Sequence, residues 1–180
     1  VGFDNIVVAD ATARRIPVGN TPGILTDATA DFAFALLMSA ARRVNEAERY
    51  LRAGKWKAWG PSTLLGMDFV SKTFGLVGFG RIGQAVAKRA AGFDLRVIYY
   101  DPGAEPAYNA TPVNSLDALL HESDFVSLHT PLNDSTRRMV NADFLRKMKR
   151  NAILVNTSRG PVMRCLKHYD PIKSLPPRRM

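Results

Sequence analysis

The chain predicts an α/β fold built on a doubly wound parallel sheet, and three observations carry that expectation. From residue 73 onward short apolar runs alternate with helical segments, which specifies parallel strands joined by right-handed crossovers. Residues 73–101, TFGLVGFGRIGQAVAKRAAGFDLRVIYYD, contain a strand, a glycine-rich turn, a helix and a second strand in that order. The residues with chemistry to offer, Gly78, Asp101, Thr130 and the turn at 157–159, all follow the carboxyl ends of strands, where ligands of such sheets bind.

The stretch 73–101 is the centre of the chain. Residues 74–77 read as a buried strand, and Gly78, Gly80 and Gly83 then supply G-x-G-x-x-G. The first glycine permits the tight turn, the second lets a pyrophosphate approach bare backbone, and the third lets the helix pack closely on its strand. Unpaired N–H groups at the positive end of the helix dipole then face the phosphates. The helix is expected over residues 81–91, with Ile82, Val86 and Ala90 at core spacing and Gly92 as its stop. A strand at 95–100 delivers Asp101 eighteen positions after Gly83. A carboxylate there accepts hydrogen bonds from ribose hydroxyls and repels a 2′-phosphate, so the expected cofactor is NAD rather than NADP. A glycine triplet alone is weak evidence and equally suits an ordinary turn; strand, helix, second strand and terminal acid together make the Rossmann-type reading the stronger one.

The remaining elements follow in order. Residues 6–8 and 16–18 are short β-rich runs with a helical turn between them, too little for a core of their own, and 1–22 is expected to be the end of a preceding domain. A long helix then starts near Asp27 with Thr26 as N-cap and continues to Gly54, its buried face marked by Phe32, Leu36, Leu37, Ala40, Val44, Ala47 and Leu51. The loop after it carries Trp56 and Trp59, which suit either a subunit contact or active-site rim, or packing beneath the loop. Beyond Asp101 come a Pro-rich connection, a short helix at 115–121, a strand at 125–128 ending in His129-Thr130-Pro131, a helix at 141–149 and a strand at 152–155 ending in the 156–160 turn. The dinucleotide-binding domain is thus expected over 23–161.

Composition excludes several classes. With 180 residues, 46% hydrophobic and 23% charged, the chain can bury one proper core. A single cysteine, Cys165, rules out an internal disulfide framework and suits a reducing, cytoplasmic setting. The longest apolar run, residues 28–41, contains Asp31 and is too short to span a bilayer, and no leader pattern opens the chain. The net charge of +9 raises nucleic acid as a partner, yet five Lys/Arg against one Asp lie in the short end from Val162. The other basic cluster, Arg146, Lys147, Lys149 and Arg150, falls at a helix C-terminus, where cations complement the dipole, and it has no interleaved aromatics to stack bases. A solvated helix end is the better reading, so neither nucleic acid nor membrane is expected as a partner.

Arg159 is the sharpest single residue. In a tight turn after a buried strand, followed by Gly160, it presents a planar fork suited to bidentate capture of a carboxylate; the bland alternative is an arginine that caps the strand or pairs with a structural acid. Keto-group reduction also needs a proton donor. His121 lies on a helix beside Glu122 and His168 in the C-terminal end, while His129 sits on the correct rim but, before a prolyl turn, reads better as a cofactor-side or structural residue. No metal-ligand spacing appears.

The segments VGFDNI, NTPGILTDATAD, VGFGRIG, YYDP, HTPL and NTSRGPV resemble, in order and spacing, the NAD-dependent D-2-hydroxyacid dehydrogenases, and RAGKWKAWGPSTLLGMDF is most similar to the glyoxylate/hydroxypyruvate reductase branch. The resemblance covers residues 1 to about 162. It implies that the opening 22 residues close a flavodoxin-like substrate domain. It further implies that Arg81 and Ile82 join the three glycines along the pyrophosphate, that Asp101 holds the adenosine ribose, and that Thr130, Pro131, Thr157 and Ser158 lie on the nicotinamide side. Arg159 matches the family's substrate-binding catalytic arginine, Val1 and Gly2 match the loop whose backbone holds the substrate carboxylate, and the family's dimers imply a homodimer. The glutamate and acid/base histidine that the family places after its arginine have no counterpart here, so little turnover is expected.

Residues 162–180, with three prolines and many cations, read as an aberrant, disordered end. The codons of 166–180 read one base earlier can spell EALRSDKIAAAAAD, a string resembling what the family carries there, so a shifted frame is the expected origin; the coding DNA tests it. The resulting expectation is the NAD-binding portion of an oxidoreductase acting on a small 2-keto or 2-hydroxy acid. A non-catalytic NAD-sensing or interaction module on the same fold is the alternative.

Overall fold

The computed structural model describes residues 2–164; Val1 and residues 165–180, which include Cys165, His168 and most of the end expected to be disordered, lie outside the described residues. Five strands form one all-parallel sheet in the order β3-β2-β1-β4-β5. They are β1 (Thr73–Val77), β2 (Arg96–Tyr100), β3 (Thr111–Pro112), β4 (Phe125–Leu128) and β5 (Ile153–Asn156). The order reverses between β1 and β4, so a crevice opens at the carboxyl ends of those two strands.

Side-chain alternation assigns each strand residue to one of two cores, one on each face of the sheet. Phe74, Leu76, Val97, Tyr99, Phe125 and Val155 point to a layer made by α2 (Thr26–Ala41) and α4 (Arg81–Ala90). Val77, Ile98, Val126 and Leu128 point to the opposite layer, where α5 (Leu116–Glu122) and α6 (Ala142–Lys147) contribute Leu119, Leu120 and Phe144. Ser115 and Asn141 accept backbone N–H bonds as the N-caps of α5 and α6, which sets where those helices begin.

Several expectations need correction. Residues 6–8 and 16–18 form no strands: Val8–Ala13 is a short helix, α1, and none of its residues is buried. The long helix is two. Arg43 adopts a left-handed conformation (φ 56°) that ends α2 and redirects the chain into α3 (Val44–Arg52). The residue is held there by donating to Glu46 and to the Leu65 carbonyl. Thr26 is the first helical residue rather than the cap.

The buried face of α2 is Ala30, Ala33, Phe34, Leu37 and Ala41, whereas Phe32 is 59% exposed and Leu36, Val44 and Leu51 also face solvent. Small alanines admit the close approach of α2 to the sheet and α4, so the helix turns its alanine-rich stripe inward and leaves larger apolar side chains outside. Within the Pro-rich connection, Thr111 and Pro112 pair with β2 as an edge strand. At the chain's other end, packing runs past residue 161: Val162 is fully buried and Arg164 donates to the Val140 carbonyl, so 162–164 belong to the folded body.

Candidate functional site

The site begins where β1 ends. Gly78 has φ +90°, and a Cβ there would lie 2.8 Å from the His129 carbonyl, so the turn crosses the end of β4 at a distance only glycine permits. Gly83 sits against the turn itself: an added Cβ would come within 2.5 Å of the Gly78 carbonyl oxygen. Gly80 is different, with nothing within 4 Å of its Cβ position, so its open side faces the cleft where a phosphate would approach. Arg81 then opens α4, whose first-turn N–H groups lack intrahelical acceptors and carry the positive end of the dipole.

Gly78 N–H donates to the Tyr100 carbonyl, and Asp101 joins the turn to the loop that follows the second strand. The Phe79 N–H donates to Asp101 Oδ2 at 2.8 Å, and Gly103 N–H donates to Oδ1 at 3.1 Å. The Phe79 ring, fully buried, stacks on Tyr99 with centroids 3.9 Å apart. The acid eighteen residues past Gly83 therefore touches the glycine turn directly, and its position is set by the backbone of that turn.

The rim of β4 and β5 completes the crevice. The His129 backbone N–H donates to the Val77 carbonyl; the residue is half-buried with Nε2 sealed from solvent, and desolvation lowers its pKa to about 4 and keeps the imidazole neutral at neutral pH. Its Nε2, Thr130 Oγ1 and Thr157 Oγ1 are buried polar atoms without a hydrogen-bond partner among the described residues. Groups in that condition usually mark a water or ligand position. Asn156 wires the next turn: Oδ1 accepts from both the N–H and hydroxyl of Ser158, and Nδ2 donates to the Arg159 carbonyl. Arg159 Nε donates to both oxygens of Asp4 at 3.0 Å, while Nη1 donates to the Ser158 carbonyl at 3.0 Å.

These parts surround one open cleft of about 550 Å³. Gly80, Arg81 and Ile82 form one wall, His129, Thr130, Pro131, Thr157, Ser158 and Arg159 a second, and residues 2–4 with the segment from Asn20 to Thr29 a third. Gly78, Gly83 and Asp101 do not line the cleft: Gly78 makes the turn, Gly83 packs against it, and Asp101 accepts from it. Val1 lies outside the described residues, while Gly2 is in the cleft wall. Sequence reasoning missed Asp4, Asn156 and the wall from Asn20 to Thr29. The signals for the first two were an acid two residues after Gly2 and an Asn two residues before Ser158, an Asx-turn spacing.

Two further surface features bear on the sequence reading. Trp59 is 77% exposed and Trp56 is half-exposed, so neither packs beneath its loop. In the basic cluster, Arg146 pairs with Asp143, Lys147 with Asp117 and Lys149 with Asp124, which leaves a salt-bridged helix end. Among the described residues no helix is long and apolar enough to cross a membrane, and no group of three or more His, Cys, Asp or Glu is placed to hold a metal ion.

Comparison with known proteins agrees with this geometry. A model of the family described as D-isomer specific 2-hydroxyacid dehydrogenase, NAD binding domain, matches residues 34–166. A glyoxylate reductase of Korarchaeum cryptofilum is 58% identical over 167 residues, covering 91% of this chain and 50% of the relative. Among solved structures, the TT0316 protein of Thermus thermophilus superposes with a TM-score of 0.87 at 51% identity, covering 91% of this chain and 52% of that one. The NAD-dependent formate dehydrogenase of Staphylococcus aureus, solved in complex with NAD, superposes with a TM-score of 0.82 at 34% identity, covering 91% and 49%. The chain thus spans about half the length of the curated relatives it matches.

Proposed function

The chain belongs to the D-isomer specific 2-hydroxyacid dehydrogenases through their NAD-binding domain, and from that premise we propose that its cleft binds NAD(H) and serves hydride exchange with a small 2-keto acid of the glyoxylate or hydroxypyruvate type. The observation that carries this reading is the convergence, around one cleft, of the glycine turn, the unpartnered Thr130 and Thr157 hydroxyls and the Arg159 fork. The donor set fits the dinucleotide. Gly80 and the first turn of α4 would take the pyrophosphate, with Arg81 and Ile82 alongside it. Asp101, already oriented by Phe79 N–H, would accept from the adenosine ribose and disfavour a 2′-phosphate, which selects NAD over NADP. Thr130, Pro131, Thr157 and Ser158 would line the nicotinamide half.

The dihydronicotinamide, when bound, supplies the hydride. Arg159 would orient the substrate carboxylate and polarise the keto oxygen, with the Gly2 backbone opposite. The neutral, half-buried His129 is a poor proton donor at neutral pH, which supports a cofactor-side or structural role rather than acid/base work. We therefore assign cofactor binding with little turnover to the chain as it stands. In our reading 1–22 ends a substrate-binding domain, the dinucleotide-binding domain runs from 23, the exposed apolar side chains of α2 and the tryptophan loop form a homodimer contact, and the protein works in the cytoplasm.

Calorimetry with NADH on folded protein tests the core of this. Micromolar binding is expected for the native chain. Gly80→Val should keep the thermal transition and lose at least tenfold in affinity, because its side chain enters open space that the phosphates require. Absence of heat with folded native protein would sink the reading.

A further inference from the structure

Arg159 is held by its own chain through a residue 155 positions away. The Nε edge of the guanidinium is occupied by both carboxylate oxygens of Asp4, and Nη1 donates to the Ser158 carbonyl. Arginine offers five N–H donors, so one on Nη1 and the two on Nη2 remain. Nη2 lies beside Gly2, where an added Cβ would stand 2.8 Å from Nη2 and 2.8 Å from Asp4 Oδ1, so only a bare residue leaves this arrangement undisturbed. The two side chains are 37% and 25% exposed, the pair standing half-sheltered in the cleft wall. The hydrogen bond from Arg159 also draws the Asp4 carboxyl below its ordinary range, so it is charged at neutral pH.

We propose that Asp4 is a positioning residue that grips the Nε edge of Arg159 and thereby turns the remaining Nη donors into the cleft toward the carboxylate or keto oxygen of a small 2-keto acid. The proposal rests on the functional reading above. An unheld arginine loses much rotamer freedom on binding, and anchoring one edge in advance removes part of that cost. Two physical effects of Asp4 oppose each other. Its negative charge repels an incoming anion, so simple Coulomb repulsion predicts that removing the charge tightens anion binding. Loss of the anchor predicts weaker binding. The sign of the change distinguishes them.

The test uses the full 180-residue chain, with NAD⁺ present so that no hydride moves, and glyoxylate as the probe. The Arg159 Nε–H resonance is followed by ¹⁵N NMR alongside NADH affinity and thermal melting for the native chain, Asp4→Asn and Asp4→Ala. The segment around Asp4 buries no apolar side chain, so all three are expected to melt together. The expected result is a glyoxylate-dependent shift of the resonance in the native chain, a loss of glyoxylate affinity of at least tenfold in Asp4→Ala, and an intermediate loss in Asp4→Asn, which keeps an oxygen acceptor. NADH affinity should stay within twofold throughout. Equal or tighter glyoxylate binding in either variant overturns the proposal, as does a native resonance that ignores glyoxylate while NADH still binds. Failure of NADH to bind instead removes the functional reading, and the glyoxylate comparison still judges Asp4.

Discussion

At the scale of single residues, the glycine turn and its acid touch one another through the Phe79 N–H, and each carries a measurable consequence. Asp101 accepts from Phe79 and Gly103 N–H groups, so Asp101→Ser disturbs the turn as well as removing the carboxylate proposed to meet the ribose. We expect NADH affinity to fall at least tenfold, with the ratio of NADPH to NADH affinity rising, measured by fluorescence titration. His129 yields a pH prediction. Its folded pKa is lowered to about 4, while the unfolded imidazole titrates near the ordinary 6.5. The unfolded state therefore binds more protons between those values, and stability falls as pH drops from 6.5 toward 4, by up to about 3 kcal/mol. Urea unfolding of the native chain and His129→Gln across that window should show the slope in the native chain alone; parallel curves would exclude it. The glycines were legible because each answers a local backbone demand. Asp4 was not, since its partner Arg159 lies at the far end of the described chain and only folding brings them together.

At the scale of elements, helix existence was legible and helix orientation was not. The apolar positions of α2 occur almost all round, so periodicity could not say which stripe faces the core; the sheet and α4 take the alanines with Phe34 and Leu37. Phe34 contacts Phe74 and Phe93 at ring-centroid distances of 6.1 and 4.9 Å, and Phe34→Ala should cost about 3–5 kcal/mol, lowering the melting temperature on the order of 10 °C. Phe32→Ser, two residues away on the exposed face, should leave the melting temperature within about 2 °C when both variants are melted at a concentration low enough to keep the chain monomeric, within the usual range for surface changes. Equal effects of the two would contradict the observed orientation. The break at Arg43 was likewise hidden, because a left-handed arginine is a tertiary choice, made when Glu46 and the Leu65 carbonyl receive its guanidinium.

At the scale of the whole molecule, large exposed side chains gather on α2 and the loop after α3: Phe32, Leu36, Trp56, Trp59 and Leu65. We take these side chains together as a contact surface. We expect light scattering to show a concentration-dependent dimer that Phe32→Ser combined with Trp59→Ser converts to monomer without loss of NADH affinity; an unchanged mass would remove this surface as the contact. The sequence by itself determined the sheet class, the strands at 74–77 and 125–128, the glycine turn and the acid that follows it, since strand alternation, turn geometry and helix dipoles are properties of short segments. Only the tertiary structure decided which face of α2 is buried, that 6–8 and 16–18 form no strands, that Val162 enters the core with 163–164 paired to Val140, and that Asp4 holds Arg159. Those outcomes depend on which distant surfaces meet, and the energy of burial and ion pairing appears only once the chain has closed on itself.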